Sequence, residues 1–131
     1  MAQPTLAYST TTVTLPHPSA AQAPTRTHGE RGGERRTVTG ALRRWIGPHW
    51  YEYSLSFEDA PQTTYDTIVS LVRLAAAANA FPTFTWSGGP WPSATSGVTV
   101  SAAVGEMRPS ASGSFSLCDF ALALVETSPR T

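Results

Sequence analysis

Alternating apolar and polar positions predict most of the strands between residue 37 and residue 126. The clearest segment is WYEYSLSF, residues 50–57, in which every second residue from Tyr51 to Phe57 is apolar and the residues between them are polar. The same period of two recurs in FPTFTW, VTVSAAV and SFSLCDFALALVE. Apolar residues occupy both faces of the last segment, which predicts a central strand. A further strand, TVTGALRRW, is predicted to start near Thr37.

One segment between these strands has helical spacing instead. Its apolar positions are Ile68, Val69, Leu71, Val72, Ala75 and Ala76. Thr63 or Thr64 is predicted to cap the start of the helix, Asp66 to lie in its first turn, and Asn79 to end it. The order of two strands, a helix and three strands predicts a mainly β fold with one α-helix, built as a small β-sandwich or barrel that the helix flanks.

The N-terminal part of the chain has a different pattern. Residues 1–35 are rich in Pro, Thr, Ser, Ala and Gly, and only YSTTTVTL alternates like a strand. With so few apolar residues, this segment is predicted to be an extended arm or loop that is flexible or is ordered against something else, which in an assembly could be a neighbouring subunit. The predicted organisation is therefore an arm over 1–35 and one domain over 36–131.

Composition removes several classes of function. The chain has 131 residues and no net charge, so no overall field attracts nucleic acid or an anionic membrane. Its N-terminus lacks the basic and continuous apolar regions of a signal peptide, and no apolar run is long enough to cross a bilayer. We expect a soluble protein with no membrane partner. The single cysteine, Cys118, excludes an internal disulfide and is predicted to be a small buried residue.

No motif in the sequence identifies a reaction. His17, His28 and His49 lie in loop-like segments without metal-ligand spacing, so we predict no metal site. No phosphate-binding loop and no GxSxG element are present, and the carboxylates Glu58 and Asp59 read as a solvated turn. The protein is predicted not to be an enzyme and to need no cofactor.

Arginines form the one concentration of charge in the sequence. Arg31, Arg35, Arg36, Arg43 and Arg44 cluster near Trp45, and two glutamates interleave with them. Arginine is enriched at protein interfaces, so we favour a subunit interface for Arg35, Arg36, Arg43 and Arg44. A solvated loop and a nucleic-acid site with stacking rings remain open as alternatives.

The stretch FPTFTWSGGPWP places aromatic rings on both sides of a Gly-Gly-Pro break. Phe84 and Trp86 share the predicted inward face of a strand. Trp91 lies beyond the break, between Pro90 and Pro92, where the sequence shows no demand from a core. We therefore predict that Trp91 is an exposed anchor at a subunit interface.

The order of segments from about residue 36 to residue 126 resembles a known family. It is similar to the small distal tail and tail-tip proteins of long-tailed bacteriophages, which are related to the tail tube fold. The similarity is carried by TVTGALRR, the aromatic strand WYEYSLSF, a helix leading to FTWSGGPWP, the strand GVTVSAAV and the closing strand FALALVE.

The resemblance implies a structural protein of the virion, assembled in the host cytoplasm. Such domains form a ring, commonly a hexamer, that continues the tail tube toward the tip and contacts neighbouring tube and baseplate proteins. DNA passes through the channel without specific binding. The simplest members of the family lack such a long N-terminal segment. A tail tube subunit or a connector between tube and tip therefore remains as an alternative.

A function of another class is also open from the sequence. A small carbohydrate- or peptide-binding module would use Trp86 and Trp91 as its aromatic platform. The exposure of these two rings in the folded protein distinguishes this alternative from a buried strand end.

Overall fold

The computed structural model describes residues 3–19, 23–109 and 116–128. Strands and one helix make up most of this part of the chain. They are β1 (Thr5–Tyr8), β2 (Thr11–Thr14), β3 (Thr25–Arg36), β4 (Leu42–Pro61), α1 (Gln62–Ala77), β5 (Thr83–Thr85), β6 (Val98–Val104), β7 (Arg108–Pro109) and β8 (Leu117–Glu126), with a short 3-10 turn over Pro92–Ala94. The prediction of a mainly β fold with one helix is confirmed.

The described strands join in one antiparallel sheet. Its order is β2-β1-β5-β6-β8-β4-β3, and the short β7 pairs with β8 outside this path. Several neighbouring strands in the sheet are far apart in the sequence. For example, Leu6 of β1 lies opposite Phe84 of β5. The two ends of the order are β2 and β3, which are therefore the edges of the sheet.

The core lies on one face of this sheet, under the helix. Aromatic and aliphatic residues of β4 and β8 face each other across the ladder there, with Tyr53 opposite Leu124 and Phe57 opposite Phe120. Helix α1 buries Ile68, Leu71 and Ala75 and contacts β1, β2, β4, β6 and β8. Five of the six positions in the predicted apolar stripe are buried or partly buried, whereas Ala76 is exposed.

The start of the chain is not an independent arm. Leu6, Val13 and Leu15 are buried in the same core, and β1 pairs with β5. These residues are therefore ordered against the rest of their own chain. The reason is non-local: the edge of β5 offers a ladder to β1, and that pairing satisfies the backbone of a segment whose own apolar content is small.

The capping residues predicted from the sequence are correct at the C-terminal end of the helix and wrong at its start. Asn79 has a φ of 54°, the left-handed conformation that follows a helix C-terminus. At the other end the helix begins at Gln62, directly after Pro61, and has no side-chain cap and no acidic residue in its first turn. Thr63, Thr64 and Asp66 therefore do not have the predicted roles.

The closing strand β8 differs from the prediction in its second face. Phe120, Leu122 and Leu124 are buried, as one face of a core strand, whereas Ala121 and Ala123 are exposed. Alanine is small enough to face solvent with little apolar area, so an apolar pattern on both faces does not require burial on both.

Candidate functional site

A long two-stranded ribbon extends from the sheet and carries the predicted arginines. Strand β8 pairs with β4 only between Glu52 and Pro61, so residues 42–51 of β4 have β3 as their partner among the described strands. The ribbon is defined here as β3 together with residues 42–51. Its tip is the turn over residues 37–41, closed by the Thr37 N–H donating to the Ala41 carbonyl at 2.8 Å. The strand predicted from Thr37 therefore begins five residues later, at Leu42.

The register of the ribbon fixes which side chains share a face. Arg35 lies opposite Arg43, Gly33 opposite Trp45, and Gly29 opposite Trp50. Between Glu30 and Gly32 the register shifts, because three residues of β4 span two residues of β3. The extra residue keeps both tryptophans opposite glycines spaced four apart on β3. We call the surface formed by Arg35, Arg43, Trp45 and Trp50 the basic–aromatic face.

The two glycines are explained by the tryptophan rings that cross them. A Cβ atom on Gly33 would lie 2.6 Å from the Trp45 ring, and one on Gly29 would lie 2.4 Å from Trp50 Nε1. Neither distance allows a side chain, so each ring lies close against the opposite strand. Aromatic cover of a glycine stabilises a strand pair that the glycine alone would weaken. Trp45 nevertheless keeps 52% of its surface exposed.

Arginines on the other face of the ribbon have partners within the chain. Arg44 forms an ion pair with the Glu34 carboxylate, directly across the ladder. Arg36 Nη1 donates to the Gly40 carbonyl at 3.0 Å and closes the tip. In contrast, no ion pair or side-chain hydrogen bond joins Arg35 or Arg43 to any residue that the structure describes. The Arg31 side chain lies outside the described residues.

The predicted interface residues are thus split by the fold. Arg35, Arg36, Arg43 and Arg44 all lie on the ribbon and are exposed, as an interface would require. Arg35 and Arg43 share one face, and Arg36 and Arg44 share the other, because adjacent residues of a strand point to opposite sides. A subunit interface for these four arginines stays a prediction.

Histidines that are scattered in the sequence meet on the face that carries Glu34. The rings of His28 and His49 are 5.2 Å apart, and Tyr51 lies 5.9 Å from His28. The Arg26 guanidinium carbon stands 4.1 Å above the Tyr51 ring. Sequence spacing missed this cluster because cross-strand pairing forms it. Among the described residues no group of three His, Cys, Asp or Glu side chains could hold a metal ion.

Trp91 is part of the core, which corrects the prediction that it is an exposed anchor. Its side chain is 9% exposed, and its ring lies 5.0 Å from the Tyr53 ring and 5.4 Å, edge to face, from the Trp86 ring. The 3-10 turn that follows folds the loop back, so that the Trp86 N–H donates to the Ala94 carbonyl at 2.9 Å. A proline-flanked loop can therefore return its aromatic residue to its own core.

The aromatic platform of the carbohydrate alternative is not presented at the surface. Trp86 is 2% exposed, and Trp91 covers its edge. A groove of about 480 Å³ runs beside Trp86, and its other lining residues are His17, Pro18, Ser19, Ala23, Pro24 and Pro90. Sugar recognition by stacking needs an open ring face, which neither tryptophan offers.

Cys118 has the environment predicted for it. The residue is 2% exposed and lies in β8. Burial raises the pKa of its thiol, and the charges of Asp119 and Asp66 raise it further. A thiol held protonated in this way is a poor nucleophile, so Cys118 acts as a packing residue.

Comparison with family models, with curated proteins and with solved structures found no match to this chain. No helix in the described part of the chain is both long and apolar enough to cross a membrane. The resemblance to tail proteins therefore rests on the order of the sequence segments. Within the geometry, the open sheet edges and the basic–aromatic face are the features from which a function can be inferred.

Proposed function

We propose that this protein is a structural subunit of a bacteriophage tail that assembles into a ring at the distal end of the tail tube or at the tail tip. The observation that carries the proposal is the order of the described strands, in which β2 and β3 are the two different end strands of the sheet. The ring, commonly a hexamer in the family, encloses the DNA channel and connects the tube to the tip proteins. A tail tube subunit or a tube connector is the alternative position for the same subunit.

Strands β2 and β3 each have one neighbouring strand among the described residues, and an end strand of this kind favours association between copies. Each edge strand presents a row of backbone donors and acceptors that pair readily with another chain. Because β2 and β3 are different strands, contact between them in two copies is head to tail, and head-to-tail contacts close into rings when the rotation allows it. Strand β3 is 12 residues long and β2 is four residues long. The edge of β3 is therefore long enough to pair with the whole of β2 from another copy.

The arrangement of elements supports the same proposal. The aromatic strand β4, helix α1 and strands β5, β6 and β8 follow one another in the order that carries the resemblance. The zero net charge suits a channel through which DNA slides, because a strongly basic wall would retain it. Catalysis, a cofactor and a metal have no part in the proposal.

Light scattering coupled to size exclusion tests the assembly. We expect a mass that is a multiple of the 13.9 kDa chain, and electron micrographs of that fraction should show rings. A stacked tube would place the subunit in the tail tube, whereas single rings would place it at the tip. A chain that stays at 13.9 kDa at high concentration and is absent from virions would overturn the proposal.

An edge variant shows whether assembly uses the sheet edges. Thr12 and Thr14 are exposed on β2, and replacing both with Lys places two charges on that edge. Ser101→Lys with Ala103→Lys is the matched control, because both positions are exposed on the interior strand β6. The edge variant should be monomeric and the control should assemble. Equal assembly of both variants would show that the rings do not form through β2.

A further inference from the structure

We infer that the basic–aromatic face of the ribbon binds single-stranded nucleic acid. In this site Arg35 and Arg43 contact backbone phosphates, and the exposed side of the Trp45 ring stacks on a base. The site lies on a face of the ribbon and does not use the sheet edges, so this inference assigns Arg35 and Arg43 to nucleic acid in place of the subunit interface that the sequence predicts for them. It adds an activity to a subunit whose proposed role is structural.

The charge arrangement on this face calls for an anion. Arg35 and Arg43 are directly opposite each other, and like charges in that position destabilise a strand pair. The neighbouring pair, Glu34 with Arg44, is compensated within the chain. The uncompensated pair offers two guanidinium groups from opposite positions of neighbouring strands, and each planar guanidinium can donate to phosphate oxygens in bidentate fashion.

The ring next to this pair supplies the second part of the site. Trp45 lies against Gly33, so the strand supports one side of the ring while more than half of the side-chain surface stays exposed. An indole held in one orientation is a stacking platform that loses little freedom when a base binds. The strand rise puts Trp45 about 7 Å beyond Arg43. One short stretch of strand can therefore contact both residues.

The combination of groups favours nucleic acid over an acidic protein. An acidic peptide would satisfy the arginines but has no regular planar group for the ring, whereas a nucleic acid has a phosphate and a base in every unit. Stacking requires an unpaired base, which specifies a single strand. No carboxylate separates Arg43 from Trp45 on this face. The overall neutrality of the chain does not conflict with a site of this size, because screening limits exposed charges to about 10 Å.

Fluorescence anisotropy with a labelled oligothymidine tests the site on the full chain. The probe should have about 20 nucleotides, more than such modules usually cover. We expect binding that weakens with salt, with a slope of log K against log salt of about −1.4, which corresponds to two phosphates at about −0.7 each. A duplex of the same length should bind more weakly, because its bases are not free to stack.

Matched double variants separate this face from the rest of the ribbon. Arg35→Ala with Arg43→Ala should abolish measurable binding at about 0.1 M salt, where exposed charges act over about 10 Å. Arg36→Ala with Arg44→Ala removes the same charge from the opposite face and should change the affinity much less. The control loses an ion pair and a tip hydrogen bond, so it is the more disruptive variant for the fold. A selective loss in the first variant therefore cannot be a folding defect.

Variants of Trp45 test the stacking contact separately from charge. Trp45→Leu keeps an apolar cover over Gly33 and should weaken binding about 5- to 150-fold with an unchanged salt slope, while Trp45→Phe should retain most of the affinity. An abasic oligonucleotide should bind the native protein as weakly as the normal probe binds Trp45→Leu.

Three results would overturn the inference. One is no binding of the probe at about 50 mM salt, where phosphate contacts are strongest. Another is an equal loss in the two arginine double variants. The third is equal affinity for the normal and abasic probes, which would leave a general anion site without base stacking.

Discussion

Replacing Trp91 with alanine distinguishes a core residue from an interface anchor. The substitution removes a ring that packs against the rings of Tyr53 and Trp86, at centroid distances of 5.0 and 5.4 Å. Truncating a buried tryptophan to alanine lowers the free energy of unfolding by about 3–5 kcal/mol. Each lost aromatic pair contributes about 0.5–1.5 kcal/mol of that amount. With 9% of the side chain exposed, we expect a loss of about 3–4 kcal/mol. That is a large part of the total of about 5–15 kcal/mol typical of a domain.

Urea unfolding followed by far-ultraviolet circular dichroism measures this loss without relying on tryptophan fluorescence. We expect the midpoint to fall with an unchanged slope, which indicates lower stability and not a changed unfolded state. Trp91→Phe should lose less, since it keeps one ring in the cluster. Trp45→Ala is the control, because Trp45 is half exposed and its removal leaves no closed cavity.

The opposite result would refute the assignment of Trp91 to the core. An interface anchor would leave the unfolding midpoint of the monomer unchanged and reduce the mass of the assembled species. Truncating a core tryptophan lowers the free energy of unfolding by several times about 1 kcal/mol. A loss of stability below about 1 kcal/mol, together with dissociation of the oligomer, would therefore identify Trp91 as an interface residue.

Three further predictions concern the helix end, a buried hydroxyl and the cysteine. Asn79 has a φ of 54°, so Asn79→Ala should cost about 1 kcal/mol by thermal unfolding and Asn79→Gly should cost less. The Tyr53 hydroxyl donates to Glu126 Oε2 at 2.8 Å in a buried position, so Tyr53→Phe should cost about 1–3 kcal/mol in urea. Because the pKa of Cys118 is raised in the folded state, its protonated thiol contributes stability that is full below its ordinary pKa of 9.0 and is lost as the pH rises through the folded value. The slope of stability against pH above about 9 should therefore be smaller in Cys118→Ala than in the native chain.

Local periodicity was sufficient for the elements that bury one face. Strand β4 between Tyr53 and Phe57, strand β6, and the buried pair Phe84 and Trp86 all lie where alternation predicted them. Side chains of a strand alternate between its two faces, so a strand that buries one face has an apolar residue at every second position. The sequence pattern therefore follows directly from the burial. The helix stripe has the same explanation with a period of 3.6.

The pairings that the sequence did not indicate are those that depend on distant partners. Strand β1 has four residues, and its place in the sheet depends on Phe84, which is 78 residues away from Leu6. Strand β3 reads as a charged loop, because its ladder is stabilised by backbone bonds and by tryptophans that cover Gly29 and Gly33 from the other strand. Neither relation leaves a local period in the sequence.

The candidate site illustrates the same limit at the level of single residues. Composition indicated a basic segment with tryptophans nearby, but it could not indicate that Arg35 and Arg43 share a face while Arg36 and Arg44 occupy the other. That division follows from the register across the ribbon, whereas the extra residue in β4 between His49 and Ile46 places Trp50 on the same face as Trp45. The loop residue Trp91 was misplaced for a related reason, since only the return of the chain after Pro92 brings its ring to Tyr53.

Ring formation and strand binding make different demands on the ribbon, and this allows them to be tested apart. Pairing along the β3 edge uses backbone groups in the plane of the sheet, whereas Arg35, Arg43 and Trp45 project from one face of it. Lysines at Thr12 and Thr14 should therefore abolish rings and leave the affinity of each monomer for oligothymidine unchanged, while Arg35→Ala with Arg43→Ala should do the reverse. If the rings form, they carry one such face per subunit, and binding to a long strand should become tighter than to a short one because linked sites raise the effective concentration. A ring that binds long and short strands equally would place the faces too far apart, or at the wrong angle, for one strand to reach two of them.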